Sequence, residues 1–75
     1  MQRYHFPIFH NGLLLTDEAG EVFGSADLAR QYGARTARDI ASDPEFDQCA
    51  GTVVLVLDSA GIEIARFLAA SEALN

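Results

Sequence analysis

The chain has 75 residues, with 11 acidic side chains against 5 basic ones, a formal charge of −6 and a single cysteine. That length makes one domain, residues 1–75, and a chain so short buries only about 60% of its unfolded surface. One cysteine excludes an internal disulfide, and an acidic balance whose cations are all arginine argues against nucleic acid and against anionic membrane surfaces. Cys49 sits in a polar segment with no His or Cys at ligand spacing and reads as an incidental thiol. Domains of this size often need a staple, and oligomerisation is the one left over.

Arg3 to Phe9 alternates, with Tyr4, Phe6 and Ile8 on one face and Arg3, His5 and Pro7 on the other, which predicts a strand. Pro7 has no N–H to donate, so the strand is an edge there or is bulged. Asn11-Gly12 is a strong hairpin signal, because both residues tolerate the positive φ of a type I′ turn. Leu13-Leu14-Leu15 begins the returning strand, Asp17 to Gly20 makes a turn or bulge, and Val22-Phe23 adds two apolar anchors.

Ser25 is a good N-cap for a helix, with Asp27 complementing the dipole in its first turn. A helical projection places Leu28, Ala29, Tyr32, Gly33, Thr36, Ala37 and Ile40 on one broad face and the arginines on the other. Gly33, unfavourable in a helix, lies on the apolar face and implies close packing of the helix backbone on the sheet. Asp43-Pro44 ends the helix, since the residue before proline is pushed from helical angles, and a further turn runs through Phe46. Gly51 to Leu57 is the core strand, apolar on both faces. Asp58 to Gly61 is a hairpin loop, and Ile62 to Leu68 returns, with Ile62 and Ile64 on one face and Glu63, Ala65 and Phe67 on the other. Ala69 to Asn75 is a tail.

The order is β-β-α-β-β, an α+β fold: a two-layer sandwich with a four-stranded, mainly antiparallel sheet and one long helix on one face. Strand orders 1-2-4-3 and 2-1-3-4 compete, and the second is favoured because it makes the third strand central. One helix covers one sheet face, so either Thr52, Val54 and Val56 or Val53, Leu55 and Leu57 lie on the far side. Exposed apolar patches of that size mark interfaces, and a two-fold dimer stacked sheet on sheet would bury this one. The alternative cover is the C-terminal tail with Leu74.

His5 and His10, five apart in a strand, point to opposite faces and do not share one metal ion. Asp17, Glu18 and Glu21 lack the spacing of a calcium loop, and turn chemistry accounts for Asp17, Gly20 and Asp58. No serine has the glycines of a nucleophile elbow, and no phosphate loop or dinucleotide fingerprint is present. Arg30, Arg35 and Arg38 form a basic stripe on the exposed helix face, with Asp27 and Asp39 at helical pairing distance from Arg30 and Arg35.

Arg3-Tyr4-x-Phe6, the Asn11-Gly12 turn, Asp17-Glu18-x-Gly20, Asp27-Leu28-Ala29, Ala37-Arg38, Asp58 with Gly61, and Phe67 occur in an order that resembles a family of small bacterial proteins. That family is common in alphaproteobacteria and catalogued as a domain of unknown function, and the resemblance covers nearly the whole chain. It implies a bacterial origin and the β-β-α-β-β layout, with no activity, cofactor or catalytic residue. Pro7 departs from the family's first strand, and Asn11 stands where Asp is usual. The Gly24-Ser25 start and alanine-rich helix are also similar to the N-terminal domain of HicB-type antitoxins. That domain's proline-and-glycine strand motif and DNA-binding segment are absent, so this is analogy of fold only.

The expectation is a non-enzymatic cytoplasmic domain, without cofactor or metal, that forms a homodimer through its open sheet face. Leu14, Val54 and Val56 are the interface candidates. A second reading is a regulatory, antitoxin-like module whose acidic surface covers a basic protein partner. The third, an enzyme or small-ligand binder, requires His5, His10 and the Asp17-Glu18 turn to converge.

Overall fold

A computed structural model of the chain describes residues 1–10, 12–42 and 51–69. Its elements are β1 (Gln2–Tyr4), β2 (Ile8–His10), β3 (Leu13–Leu15), β4 (Glu21–Phe23), α1 (Ala26–Ala41), β5 (Val53–Leu57) and β6 (Glu63–Leu68). Asn11 of the first turn, the helix stop at Asp43-Pro44 with the turn through Phe46, Cys49, and Leu74 in the tail lie outside the described residues.

Two antiparallel ladders make the sheet layer: a four-stranded one in the order β3-β2-β5-β6 and a two-stranded one of β1 with β4. His5 and Leu57 join them, each amide donating to the other's carbonyl at 2.9 and 2.8 Å. In terms of the four arms read from the sequence, the order is 2-1-3-4, and the first arm is central despite its proline. Pro7 accepts a bond from the Leu55 amide at 2.9 Å. The reverse bond, from residue 7 to the Leu55 carbonyl, is the one proline cannot make. Register against β5 is held on both sides of it, since His5 pairs with Leu57 and Ile8 with Val54.

The irregularity lies in the outer arm instead. Ile8 pairs with Leu15 and Tyr4 with Glu21, so Thr16 to Gly20 bulges out opposite His5 to Pro7. Asp17 fills the gap with its carboxylate, which accepts from the Phe6 amide at 3.0 Å and from the Gly20 amide at 3.1 Å. Gly20 has φ +67°, and a Cβ there would collide with the Tyr4 carbonyl oxygen. A left-handed residue without a side chain is what this corner accepts.

Ser25 caps α1 from extended backbone, its hydroxyl accepting from the Leu28 amide at 3.2 Å. Asp27 in the first turn and Arg38 in the last complement the helix dipole. The residues that α1 buries are Ala29, Gly33 and Ala37, one helical turn apart. A Cβ on Gly33 would lie 2.6 Å from Val56 Cγ2 and 3.3 Å from the Phe67 ring. This confirms the close approach and narrows the helix's apolar face: Leu28 and Tyr32 flank the contact and remain exposed, because the sheet meets the small residues between them.

Tyr4, Phe6, Val54, Val56 and Ala69 complete the core, with Ile8, Phe23, Ile64, Ala65 and Phe67 packed around it. The Phe6 ring meets those of Tyr32 and Phe23 edge-on at 4.8 and 5.9 Å. Asp58 closes the last hairpin, accepting from the amides of Ala60 and Ile62 at 2.9 Å each, with Gly61 at φ +83°. A bulge follows: Leu57 pairs with Glu63, but Val56 pairs with Ala65. Ile64 is the extra residue, so Glu63 and Arg66 share one face while Ile64, Ala65 and Phe67 turn to the core. The strict alternation expected for this strand is corrected at that point.

Candidate functional site

The sheet face away from α1 is apolar across its width. Phe9 pairs with Leu14 on one side and with Val53 on the other, and Val53 pairs with Leu68. Directly opposed residues point the same way, so Leu14, Phe9, Val53 and Leu68 form one row across all four strands. Leu14 is 52% exposed, Phe9 43% and Leu68 64%. Leu55, opposite Arg66, extends the row, and a cleft of about 260 Å³ lies among Phe9, Val53, Leu55 and Arg66. At its margin Arg66 grips Glu63 through two bonds, Nε to Oε2 at 2.7 Å and Nη2 to Oε1 at 2.8 Å. That partner holds the Glu63 carboxyl below its ordinary range, chiefly by hydrogen bonding, and raises Arg66 in the same way.

Of the interface candidates, Leu14 stands in this row. Val54 and Val56 do not: both are 0% exposed, beneath α1. The bulge at Ile64 explains the correction. Counted from the Asp58 turn, a regular hairpin would set Arg66 opposite Val54, drawing that valine to the polar side. The extra residue sets Arg66 opposite Leu55 and Phe67 opposite Val54. Val53 and Leu55 belong to the alternative set left open by the sequence, whereas Phe9 and Leu68 are not among its candidates. The signal for Phe9 was its place on the strand face opposite Tyr4, Phe6 and Ile8, and for the others it was which neighbours the Arg66 charge would keep.

Both histidines are committed to the scaffold. His5 Nδ1 meets the Asp17 carbonyl at 2.7 Å, and His10 Nδ1 bonds the hydroxyl of buried Thr52. His5 pairs with Leu57 at one end of β5 and Thr52 precedes the other, about 16 Å away at the rise of a strand, so His5 and Asp17 come together and His10 stands apart. Among the described residues, no group of three or more His, Cys, Asp and Glu is placed to hold a metal ion. Asp27 pairs with Arg30, whereas Arg35–Asp39 is not among the ion pairs of the described residues. No described helix is long and apolar enough to cross a membrane.

A helix seated through small residues on β5 and β6, and an opposite sheet face carrying an apolar row, define a two-layer α+β domain of minimal size. The chain belongs to the family described as Domain of unknown function (DUF6894), whose model matches residues 3–70. No curated protein and no solved structure matches it.

Proposed function

We propose that the domain is a non-enzymatic module acting by protein–protein contact and that it pairs with a second copy of itself through the open sheet face. The observation that carries this is the row Leu14, Phe9, Val53 and Leu68, which runs across β3, β2, β5 and β6. At the usual strand spacing it is about 14 Å wide. A face apolar along its middle with a charged pair at its margin matches the anatomy of an interface. A second copy fits it in kind, since a two-fold contact sets the same patch against itself. The shortness of the chain supports this, because one helix and one sheet supply only a small core.

Sedimentation equilibrium at low micromolar concentration tests the reading. The expected mass is about 16 kDa, twice that of the 8.1 kDa chain, and Phe9→Glu should halve it with helical content retained. A wild-type chain that stays monomeric throughout that range would end the proposal.

A further inference from the structure

We infer that a second surface, on the helix layer, is a docking groove for an acidic peptide segment of a partner protein. The groove has a volume of about 510 Å³ and is lined by Phe23, Leu28, Gln31, Tyr32, Arg35 and Arg38, with Ala34. Its apolar end is made by the exposed flanks of the helix: the Tyr32 ring lies tilted against that of Phe23 at 5.3 Å, and Leu28 lies a turn before it. Its other end carries two cations. Arg3 donates to the Ala19 carbonyl, Arg30 to Asp27 and Arg66 to Glu63. Arg35 and Arg38, by contrast, form no ion pair with a described residue. In a chain of charge −6, two of the three arginines without a described counter-charge, Arg35 and Arg38, stand together beside an aromatic surface. Charge complementarity therefore calls for an anionic occupant.

Shape selects the kind. The groove is open and follows α1 from Leu28 to Arg38, about 15 Å at the helical rise. An enclosed pocket would take most of a small molecule's surface; an open channel of this length suits about five residues of extended peptide. The spacing agrees. Along the helix axis, Arg35 and Arg38 lie about 7.5 and 12 Å beyond the midpoint of Leu28 and Tyr32. Alternate side chains of a strand fall at about 6.6 and 13 Å. An apolar residue followed by acids at the second and fourth positions after it matches both ends. Two arginines neutralise too few phosphates to hold a nucleic acid at ordinary salt.

The groove lies on the opposite layer from the apolar row, so this inference stands whether or not the domain dimerises. The test is fluorescence anisotropy of the full chain with a labelled peptide Gly-Phe-Ala-Glu-Ala-Glu and its double-Gln counterpart. The expected result is saturable binding that weakens at least about tenfold with the Gln peptide and with the R35Q/R38Q protein. Both arginines are exposed, so that variant should keep the wild-type thermal transition. L28D should weaken the peptide without touching either cation. Binding unchanged by the Gln peptide or by R35Q/R38Q would overturn the inference. So would no binding at about 1 mM protein, a concentration that detects even weak complexes, or tighter binding of a ten-residue oligothymidylate.

Discussion

Arg66 and Glu63 hold each other in a bidentate pair although they stand three residues apart in one strand, a separation that ordinarily points side chains to opposite faces. The bulge at Ile64 brings them together, and several properties of the domain hang on it.

The first is a pH dependence. Hydrogen bonding from Arg66 lowers the Glu63 carboxyl; desolvation opposes it in part, and the arginine's charge adds a smaller lowering. A carboxylate depressed in the folded state contributes stability above its unfolded value, near pH 4.3. That contribution fades as pH falls through the lower folded value. Both side chains are solvated, so the effect on stability is slight and screened by salt. Carbon-detected NMR titration should place the Glu63 midpoint below that in Arg66→Gln, with the gap narrowing as salt rises.

Deleting Ile64 should be tolerated. Without it, Val56 still faces Ala65 and Leu55 still faces Arg66, because a regular ladder now gives the register that the bulge creates. The loss is the partly buried isoleucine, worth about 1–2 kcal/mol. Urea unfolding should remain a single cooperative transition at a lower midpoint.

Val53→Asp and Val54→Asp separate the two sheet faces although they are neighbours in sequence. The first puts a charge in the exposed row and should abolish self-association while leaving the circular dichroism spectrum intact. The second buries a carboxylate beneath α1 at a site that is 0% exposed, and should leave no cooperative thermal transition.

Asp17→Ala should destabilise by about 1–3 kcal/mol, since it strips the acceptor from the Phe6 and Gly20 amides. Asp17→Asn retains one acceptor oxygen and should fall between that variant and wild type in urea unfolding.

Gly33→Ala reverses the usual rule for helices. Alanine would gain about 1 kcal/mol in helix propensity, but its Cβ meets Val56 Cγ2 at 2.6 Å. That methyl belongs to a stiff β-branched side chain in a central strand. Overpacking of this kind costs about 1–3 kcal/mol, so the net change in the denaturation midpoint should be a decrease.

The elements and their order were legible because each rests on local chemistry: Ser25 as a cap, Asp58 and Gly61 in a turn, alternation from Tyr4 to Ile8, and Gly33 at the helix–sheet contact. The central place of the first arm was legible only as a preference, since Pro7 argued against it. The faces of β5 were not legible. Val53 to Leu57 is apolar at every position, so its orientation is set by its partner across the ladder, and one unpaired residue in β6 decides it. The groove beside Tyr32 was hidden for a related reason. A helical projection treats the apolar arc as uniformly covered, whereas a sheet drawn tight against Ala29, Gly33 and Ala37 leaves the longer side chains at its margins in solvent.

Exposed leucines on an outer strand invite polymerisation, because a free row of amides and carbonyls is a template for another chain. Here the Asp17 corner breaks that template. It splits the outer arm into Leu13–Leu15 and Glu21–Phe23, three residues each, separated by a loop tied inward through its carboxylate. An incoming strand finds a short foothold, then a displacement, and cannot zip along the edge. The same aspartate that accepts from two backbone amides thus denies this edge of the sheet a continuous run of free backbone groups.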